Sequence, residues 1–155
     1  MPSSENGFSV LAPSSKDLVN IVVGGKTFKV RRSCRDLFTK LLTFLNTVEP
    51  FSEAGWDGGY AYRTIAGSHQ KWSNHSSGTA IDMNASQHAQ GTKNIGWTSA
   101  QIKIINWYLA NTAAGRAIRW GNDYTTTPDS MHFEVKSPAA GALYNRIMSA
   151  ASKVD

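Results

Sequence analysis

The chain is poor in cysteine and lacks long apolar runs. Its one cysteine, Cys34, excludes an internal disulfide and a cysteine-rich metal site, and we expect it to be a small core residue. No apolar run approaches the roughly 20 residues that a bilayer-spanning helix needs, so we expect no membrane partner. The N-terminus also lacks a basic segment followed by an apolar one, so no signal peptide is visible.

Negative charge is in the minority. Lysine and arginine number 16 against 11 acidic residues, which gives a net charge of +5. A basic surface favours an anionic partner, such as nucleic acid, acidic lipid or an anionic cell-wall polymer. The positive residues are dispersed, and the densest stretch, within residues 26–35, is as compatible with a solvated face as with a binding patch. Since the chain also lacks a nucleic-acid-binding motif, we expect no nucleic-acid partner.

Repeats and long linkers are absent too. With 155 residues, of which 41% are hydrophobic and 10% aromatic, the chain fits a globular fold with one core. We therefore expect a single domain over residues 1–155 and a monomer. Residues 1–15, rich in serine and proline, are predicted to form a loose arm laid over that domain.

Local patterns indicate helices mixed with short strands. Two β-branched runs, 18–23 and 26–30, are joined by Gly24-Gly25 and predict a hairpin. Helix starts are predicted at three capping patterns: Ser33 with Asp36, Thr98 with Gln101, and Ser137-Pro138. Further strands are predicted at 60–65, 79–84, 117–120 and 131–135. This mixture indicates an α+β fold with a small, mostly antiparallel sheet packed with helices.

Side-chain environments can be predicted for some of these elements. We expect the last helix to turn Leu143, Ile147 and Met148 inward. Four tryptophans are expected to be mostly core residues: Trp72, Trp97, Trp107 and Trp120. His69 and His88 lie in polar loops, and we expect both to be exposed.

The most informative segments are two that contain histidine. One reads Ser-Asn-His-Ser-Ser-Gly-Thr-Ala-Ile-Asp from Ser73, and the other reads Pro-Asp-Ser-Met-His-Phe-Glu from Pro128. His75, Asp82 and His132 would supply two imidazoles and a carboxylate, and with water in the fourth position such ligands make a catalytic zinc site. Asp129, three residues before His132, is placed to take a proton from that water. The spacing suits a loop leading into a strand, which puts the site at loop and strand ends.

Other classes of protein share parts of this pattern. Two histidines and one carboxylate also make the facial triad of non-haem iron(II) oxygenases. Those sites usually place the histidine and the acid two positions apart, whereas His75 and Asp82 are seven apart. A non-catalytic binding module is a third reading, but the loss of a ligand or of the base would mark it, and all four residues are present.

Taken together, the two segments resemble a family of zinc peptidases. The family comprises D-alanyl-D-alanine carboxypeptidases, vancomycin-resistance dipeptidases and phage L-alanyl-D-glutamate endolysins. Its pattern is roughly S-x-H-x-x-G-x-A-x-D, followed later by an acid three residues before a histidine in a D-x-M-H-F-E-like string. The sequence matches it at Ser73, His75, Gly78, Ala80, Asp82, Asp129 and 131–134, and Tyr62-Arg63 matches the family's Tyr-Arg strand.

The resemblance implies a role for each matching residue. His75, Asp82 and His132 become zinc ligands, Asp129 the general base, and Arg63 and Ser73 contacts to substrate or transition state. For Arg63 the alternative is an ion pair with Asp57 or Glu53, and for Ser73 it is a loop-capping hydroxyl. The implied fold is that of hedgehog-like D,D-peptidases.

Two acidic residues near the last histidine need separate interpretation. Glu134 would share a strand face with His132, where it could orient an imidazole or serve as an alternative base, and we favour the first. Asp123 lies in a Trp-Gly-Asn-Asp string similar to one that precedes the last ligand in relatives, and it would either brace the site or form a turn.

These observations lead to one expected function. We expect a zinc-dependent peptidase that cleaves peptidoglycan stem peptides, as the L-Ala-D-Glu endopeptidase of a phage endolysin. The Asp at position 129, where many carboxypeptidases and dipeptidases have Glu, favours the endolysin over a D-Ala-D-Ala carboxypeptidase or dipeptidase with the same site. Such an enzyme would be made in the host cytoplasm and act on the bacterial cell wall.

Overall fold

The computed structural model describes residues 2–65, 67–68 and 70–154, and it confirms the α+β class. Its strands and α-helices, in chain order, are β1 (Leu18–Val23), β2 (Lys26–Arg31), α1 (Arg35–Val48), β3 (Ala80–Asp82), α2 (Ser99–Asn111), α3 (Ala113–Arg116), β4 (Ile118–Trp120), β5 (His132–Val135) and α4 (Pro138–Ala151). The strands form two small antiparallel sheets, β1-β2 and β3-β5-β4. None of the helices in the described residues is long and apolar enough to cross a membrane.

The hairpin and the first helix form one half of the core. In β1 and β2 alternate residues are buried, so Ile21, Val23, Phe28 and Val30 face α1. In α1 the leucines at helical spacing are fully buried, and the helix ends before Pro50, as predicted. Its predicted start is wrong, because Ser33 lies inside a 3₁₀ turn, Arg32–Cys34, that precedes the helix, and Ser33 makes no cap.

The three-stranded sheet has one apolar and one polar face. Successive side chains of a strand point to opposite sides, and opposite residues of paired strands share a side. Asp82 lies opposite His132, and Glu134 lies between Ala80 and Arg119. The other side of β5 presents the fully buried Phe133 and Val135 to the core. The polar side of this sheet carries the predicted metal ligands.

The N-terminal segment packs closely on this sheet, so the predicted loose arm is wrong in that respect. Phe8, Val10 and Leu11 are buried, and the Asn6 amide donates hydrogen bonds to Thr79 Oγ1 (2.8 Å) and to the Val135 carbonyl (2.9 Å). The Leu11 carbonyl accepts from the Tyr60 hydroxyl at 2.5 Å. These partners are distant in sequence, so composition alone could not reveal them.

The later helices confirm the predicted starts but not all predicted faces. Thr98 and Gln101 form the reciprocal capping box of α2, and Ser137 caps α4 with Pro138 in its first turn. In α4, however, Leu143 and Ile147 are 49% and 41% exposed, while Tyr144 is buried and Met148 only partly so. The Tyr144 ring packs into the apolar core, and its hydroxyl donates a hydrogen bond to Asp36 of α1.

Residues 60–65 do not form the predicted strand. They run extended and make scattered main-chain hydrogen bonds instead of a ladder: Tyr60 donates to Lys29 (2.7 Å), Ala61 to His75 (3.2 Å), and Arg63 accepts from Ser73 (3.2 Å). The segment thereby connects the hairpin to the loop that carries His75. The remaining predicted strands are present in shortened form.

Candidate metal centre

A short 3₁₀ helix, Asn74–Ser77, presents His75 to the polar side of the sheet. The Ser73 hydroxyl accepts a hydrogen bond from the His75 amide at 3.2 Å and so caps the first turn. Gly78 ends the turn with φ of +70°, and a Cβ there would lie 2.6 Å from the Arg31 nitrogen. Only glycine therefore allows the chain to bend directly from this turn into β3.

The three predicted ligands converge, although His132 lies 50 positions after Asp82. Asp82 Oδ1 is 3.1 Å from His132 Nδ1, and Asp82 Oδ2 is 3.2 Å from His75 Nε2. All three side chains are buried, and one ligand atom from each lies within 4.8 Å of the others. The antiparallel pairing of β3 and β5 brings Asp82 next to His132, and the 3₁₀ turn before β3 brings His75 next to Asp82.

The tautomer of His75 is determined by its surroundings. Its Nδ1 is 2.8 Å from the Gly59 carbonyl oxygen, which can only accept, so Nδ1 carries the proton. Nε2 is then the nitrogen available to a metal. Burial by itself would raise the pKa of Asp82, but the contacts of its oxygens with His132 and His75 outweigh it and hold that pKa well below its usual range. The carboxylate is therefore anionic between the two imidazoles.

Glu134 lies behind His132, as the strand pattern predicts. His132 Nε2 is 3.1 Å from Glu134 Oε1, so this imidazole has a carboxylate on each nitrogen. Glu134 also accepts from Asn74 Nδ2 at 2.8 Å and from the Tyr124 hydroxyl. Burial raises the pKa of Glu134 to about 7. A carboxylate behind a ligating histidine orients the ring and increases its basicity.

This donor set fits a zinc ion. Zinc is commonly bound by imidazole nitrogen and carboxylate oxygen. The three side chains offer two such nitrogens and one such oxygen within 4.8 Å of one another. His75, Asp82 and His132 would hold the ion, with Gly59 and Glu134 fixing the rings from behind.

Asp129 lines the same cleft without being part of the ligand cluster. Its carboxylate is half-buried, and Oδ1 has no hydrogen-bond partner among the described residues. Burial raises the pKa of Asp129, and the positive charge of His132 partly counters this. The Asp129 amide donates a hydrogen bond to the Gly121 carbonyl at 2.8 Å. A Cβ on Gly121 would lie 2.4 Å from the Asp129 carbonyl oxygen, so this close approach requires glycine.

Arg63 and Ser73 border this cleft, which has a volume of about 550 Å³. Arg63 is exposed, and Asp57 pairs with Lys26 at 3.4 Å, so the alternative pairing of Arg63 with Asp57 is not found. Among the ion pairs of the described residues, none joins Arg63 to Glu53 either. The Ser73 hydroxyl caps the turn by accepting from the His75 amide, which agrees with the alternative prediction of a loop-capping hydroxyl.

His88, expected to be exposed, is completely buried, and that prediction is wrong. Its Nε2 is 2.5 Å from Glu49 Oε2, its Nδ1 is 2.9 Å from the Ile95 carbonyl, and its ring stacks on Trp97 at 3.8 Å. His69 lies outside the described residues. Among the tryptophans, Trp97 and Trp120 are buried as expected, Trp72 is half-buried, and Trp107 is 55% exposed.

Several residues around the site have no sequence motif of their own. Gly59 and Tyr124 contact the ligands or Glu134, and Glu5 of the N-terminal segment lines the cleft. The sequence Asp57-Gly58-Gly59 indicates a turn and so could have drawn attention to Gly59. The residues around Tyr124 and Glu5 contain no pattern that marks either one as part of the site. Asp123 is exposed at the end of a 3₁₀ turn, in agreement with its turn interpretation.

Comparison with known proteins adds one finding to this geometry. Residues 66–135 match a family model described as D-alanyl-D-alanine carboxypeptidase. The matched segment contains His75, Asp82, Asp129 and His132. No curated protein and no solved structure matches the chain.

The family match supports a hydrolase of the peptidase type that acts on peptidoglycan. Peptidases of this family are typically zinc-dependent, and the buried histidine-aspartate-histidine cluster fits a metal site. The match covers less than half of the chain.

Proposed function

We propose that this chain is a zinc-dependent endopeptidase that cleaves the L-Ala-D-Glu bond of the peptidoglycan stem peptide, as in phage endolysins. The observation that carries the proposal is the convergence of His75, Asp82 and His132 in a cleft that also holds the Asp129 carboxylate. A ligand cluster with a separate carboxylate beside it is the arrangement that metal-assisted hydrolysis requires.

The residues of the cleft have separate roles in the proposed hydrolysis. When bound, zinc supplies Lewis-acid polarisation of a peptide carbonyl and acidifies water. Asp129 would accept the proton of the attacking water and deliver it to the leaving amine. Its raised pKa suits both transfers, because a base works best when its pKa is near the working pH. Arg63 would hold a substrate carboxylate or the developing oxyanion with its planar fork of donors.

A D-Ala-D-Ala carboxypeptidase is the second candidate, and the description of the matching family model favours it. The same ligands and the same base would serve either bond. The aspartate at position 129 favours the endopeptidase, since it resembles the phage enzymes more than the carboxypeptidases.

Mass spectrometry of digested muropeptides distinguishes the two candidates. Purified zinc-loaded protein is incubated with muropeptides of defined sequence, and the products are compared with those of a chelator-treated sample. The endopeptidase produces new free amino groups on D-Glu, whereas the carboxypeptidase releases D-Ala. A digest with neither product, from protein that holds zinc, would refute the proposed function.

A further inference from the structure

A second cleft adjoins the metal cleft on the side of Tyr124. It has a volume of about 580 Å³, and the two clefts share Glu5, Tyr124 and Glu134 as lining residues. Arg119 and Lys136 line only the second cleft. A substrate that extends past Tyr124 from the metal cleft therefore enters a space with two cationic side chains.

The sheet places both cations on its polar side. Arg119 of β4 lies opposite Glu134 of β5, so its side chain shares a face with Glu134 and His132. Lys136 lies two positions after Glu134, just past the end of β5. Alternate residues of an extended chain point to the same side, so Lys136 shares the face of Glu134. The site is thus one continuous surface, from the ligand Asp82 on β3 to Arg119 on β4.

Arg119 is held against the cleft wall by the ring of Tyr124. Its guanidinium carbon lies 4.7 Å from the ring centroid of Tyr124, a cation–π contact that limits its movement. The ion pairs of the described residues include neither Arg119 nor Lys136. Two acids, Glu5 and Glu134, also line this cleft, but the contacts of both Glu134 oxygens are with Asn74, Tyr124 and His132 rather than with the two bases.

We propose that Arg119, supported by Lys136, forms a subsite that selects stem peptides with a free carboxylate. This inference rests on the proposed function, because it names a substrate group for the same cleft. A guanidinium donates two parallel hydrogen bonds to a carboxylate and cannot do so to an amide, whose nitrogen is itself a donor. Amidation of the recognised carboxylate therefore removes both the charge and one acceptor.

Binding can be measured without turnover in an Asp129→Asn background. Zinc-loaded protein is titrated calorimetrically with stem tripeptides in which one carboxylate at a time is converted to an amide. We expect amidation at one position to weaken binding about tenfold, as loss of a charge-assisted contact does. Arg119→Gln should remove that difference by weakening only the free-carboxylate peptide, and Lys136→Gln should reduce it less.

Arg146→Gln is the matched control, because Arg146 is an exposed arginine on α4 away from both clefts. It should bind every peptide as the parent does. Equal affinities for all peptides, or a uniform loss in Arg119→Gln, would overturn the subsite. Cleavage of the unmodified peptides by the wild-type protein is followed in parallel. Cleavage without discrimination refutes the subsite alone, whereas discrimination without cleavage refutes the proposed function alone.

Discussion

Two buried histidine-carboxylate clusters of this protein have similar parts and different surroundings. In one, His75 and His132 share Asp82 at the wall of an open cleft. In the other, the fully buried His88 pairs with Glu49, whose side chain is 20% exposed. The two nitrogens of His88 lie against the Ile95 carbonyl and the Glu49 carboxylate.

The difference shows what a metal site needs beyond buried histidine and acid. The His88 ring is stacked on Trp97 and meets a single carboxylate, and no third metal-ligating side chain joins this pair among the described residues. At the other cluster, two imidazoles direct one nitrogen each at a single carboxylate, and their other nitrogens are held from behind by Gly59 and Glu134. Convergence and an open side, rather than composition, distinguish the candidate metal centre from a structural ion pair.

The largest expected effect is that of His75→Ala. Removal of one of three ligands should reduce bound zinc from about one ion per chain to none and peptidase activity to background. Metal analysis of the purified protein and muropeptide digestion test this. Full zinc content in the variant would show that the cluster at Asp82 is not the metal site.

Asp129→Asn should separate catalysis from metal binding. The carboxylate is outside the ligand cluster, so zinc content should be unchanged while turnover falls by about 10²–10⁴-fold, the usual contribution of a general base. The matched control is Asp123→Asn, which changes an exposed carboxylate and should retain activity. Normal turnover in Asp129→Asn would show that another residue is the general base.

His88→Ala should have the opposite profile to His75→Ala. It removes a fully buried ring that stacks on Trp97 and contacts Glu49, which should lower the free energy of unfolding by about 3 kcal/mol, as truncation of a buried ring does. Zinc content at a temperature where the variant is folded should be retained. Chemical denaturation and metal analysis of both alanine variants make the comparison. An unchanged denaturation midpoint would remove the structural role assigned to His88.

Glu134→Gln tests the support behind the ligands. Loss of the carboxylate behind His132 should weaken zinc binding about 10–100-fold, because such groups orient the ring and increase its basicity. Glu5→Gln is the matched control, since Glu5 lines the cleft without contacting His132 in the described hydrogen bonds. Competition with a chelator of known affinity measures both, and equal affinities would contradict the role.

The smallest effect is expected at Asp36, a largely exposed carboxylate that serves as a reference for the carboxylates of the two histidine clusters. The hydrogen bond from Tyr144 holds the pKa of Asp36 below its ordinary value, with Lys40 contributing. The stabilisation is therefore present at neutral pH and lost as the pH falls through the lowered pKa. Tyr144→Phe should cost less than about 1 kcal/mol at pH 7, since the carboxylate is largely exposed. Denaturation below about pH 4 should show the difference shrinking, and a pH-independent difference would exclude this origin.

Local patterns predicted the parts of the fold that depend on neighbouring residues. The Gly24-Gly25 hairpin, the capping box at Thr98 and the start of α4 at Ser137 are all formed by residues within a few positions of each other. Predictions failed where a distant residue decides the outcome. The N-terminal segment is held by Thr79 and Val135, and the buried His88 contacts Glu49, 39 positions away.

The sequence by itself determined the chemistry that is available: two histidines and an aspartate with ligand spacing, a separate aspartate, and a glycine where the turn into β3 requires one. Only the tertiary structure decided which of the buried histidines meet. Antiparallel pairing places Asp82 opposite His132 and Arg119 on the face of Glu134. Because a shift of one residue in that register would turn each side chain to the opposite face, the sheet ladder and the packing beneath it specify the site.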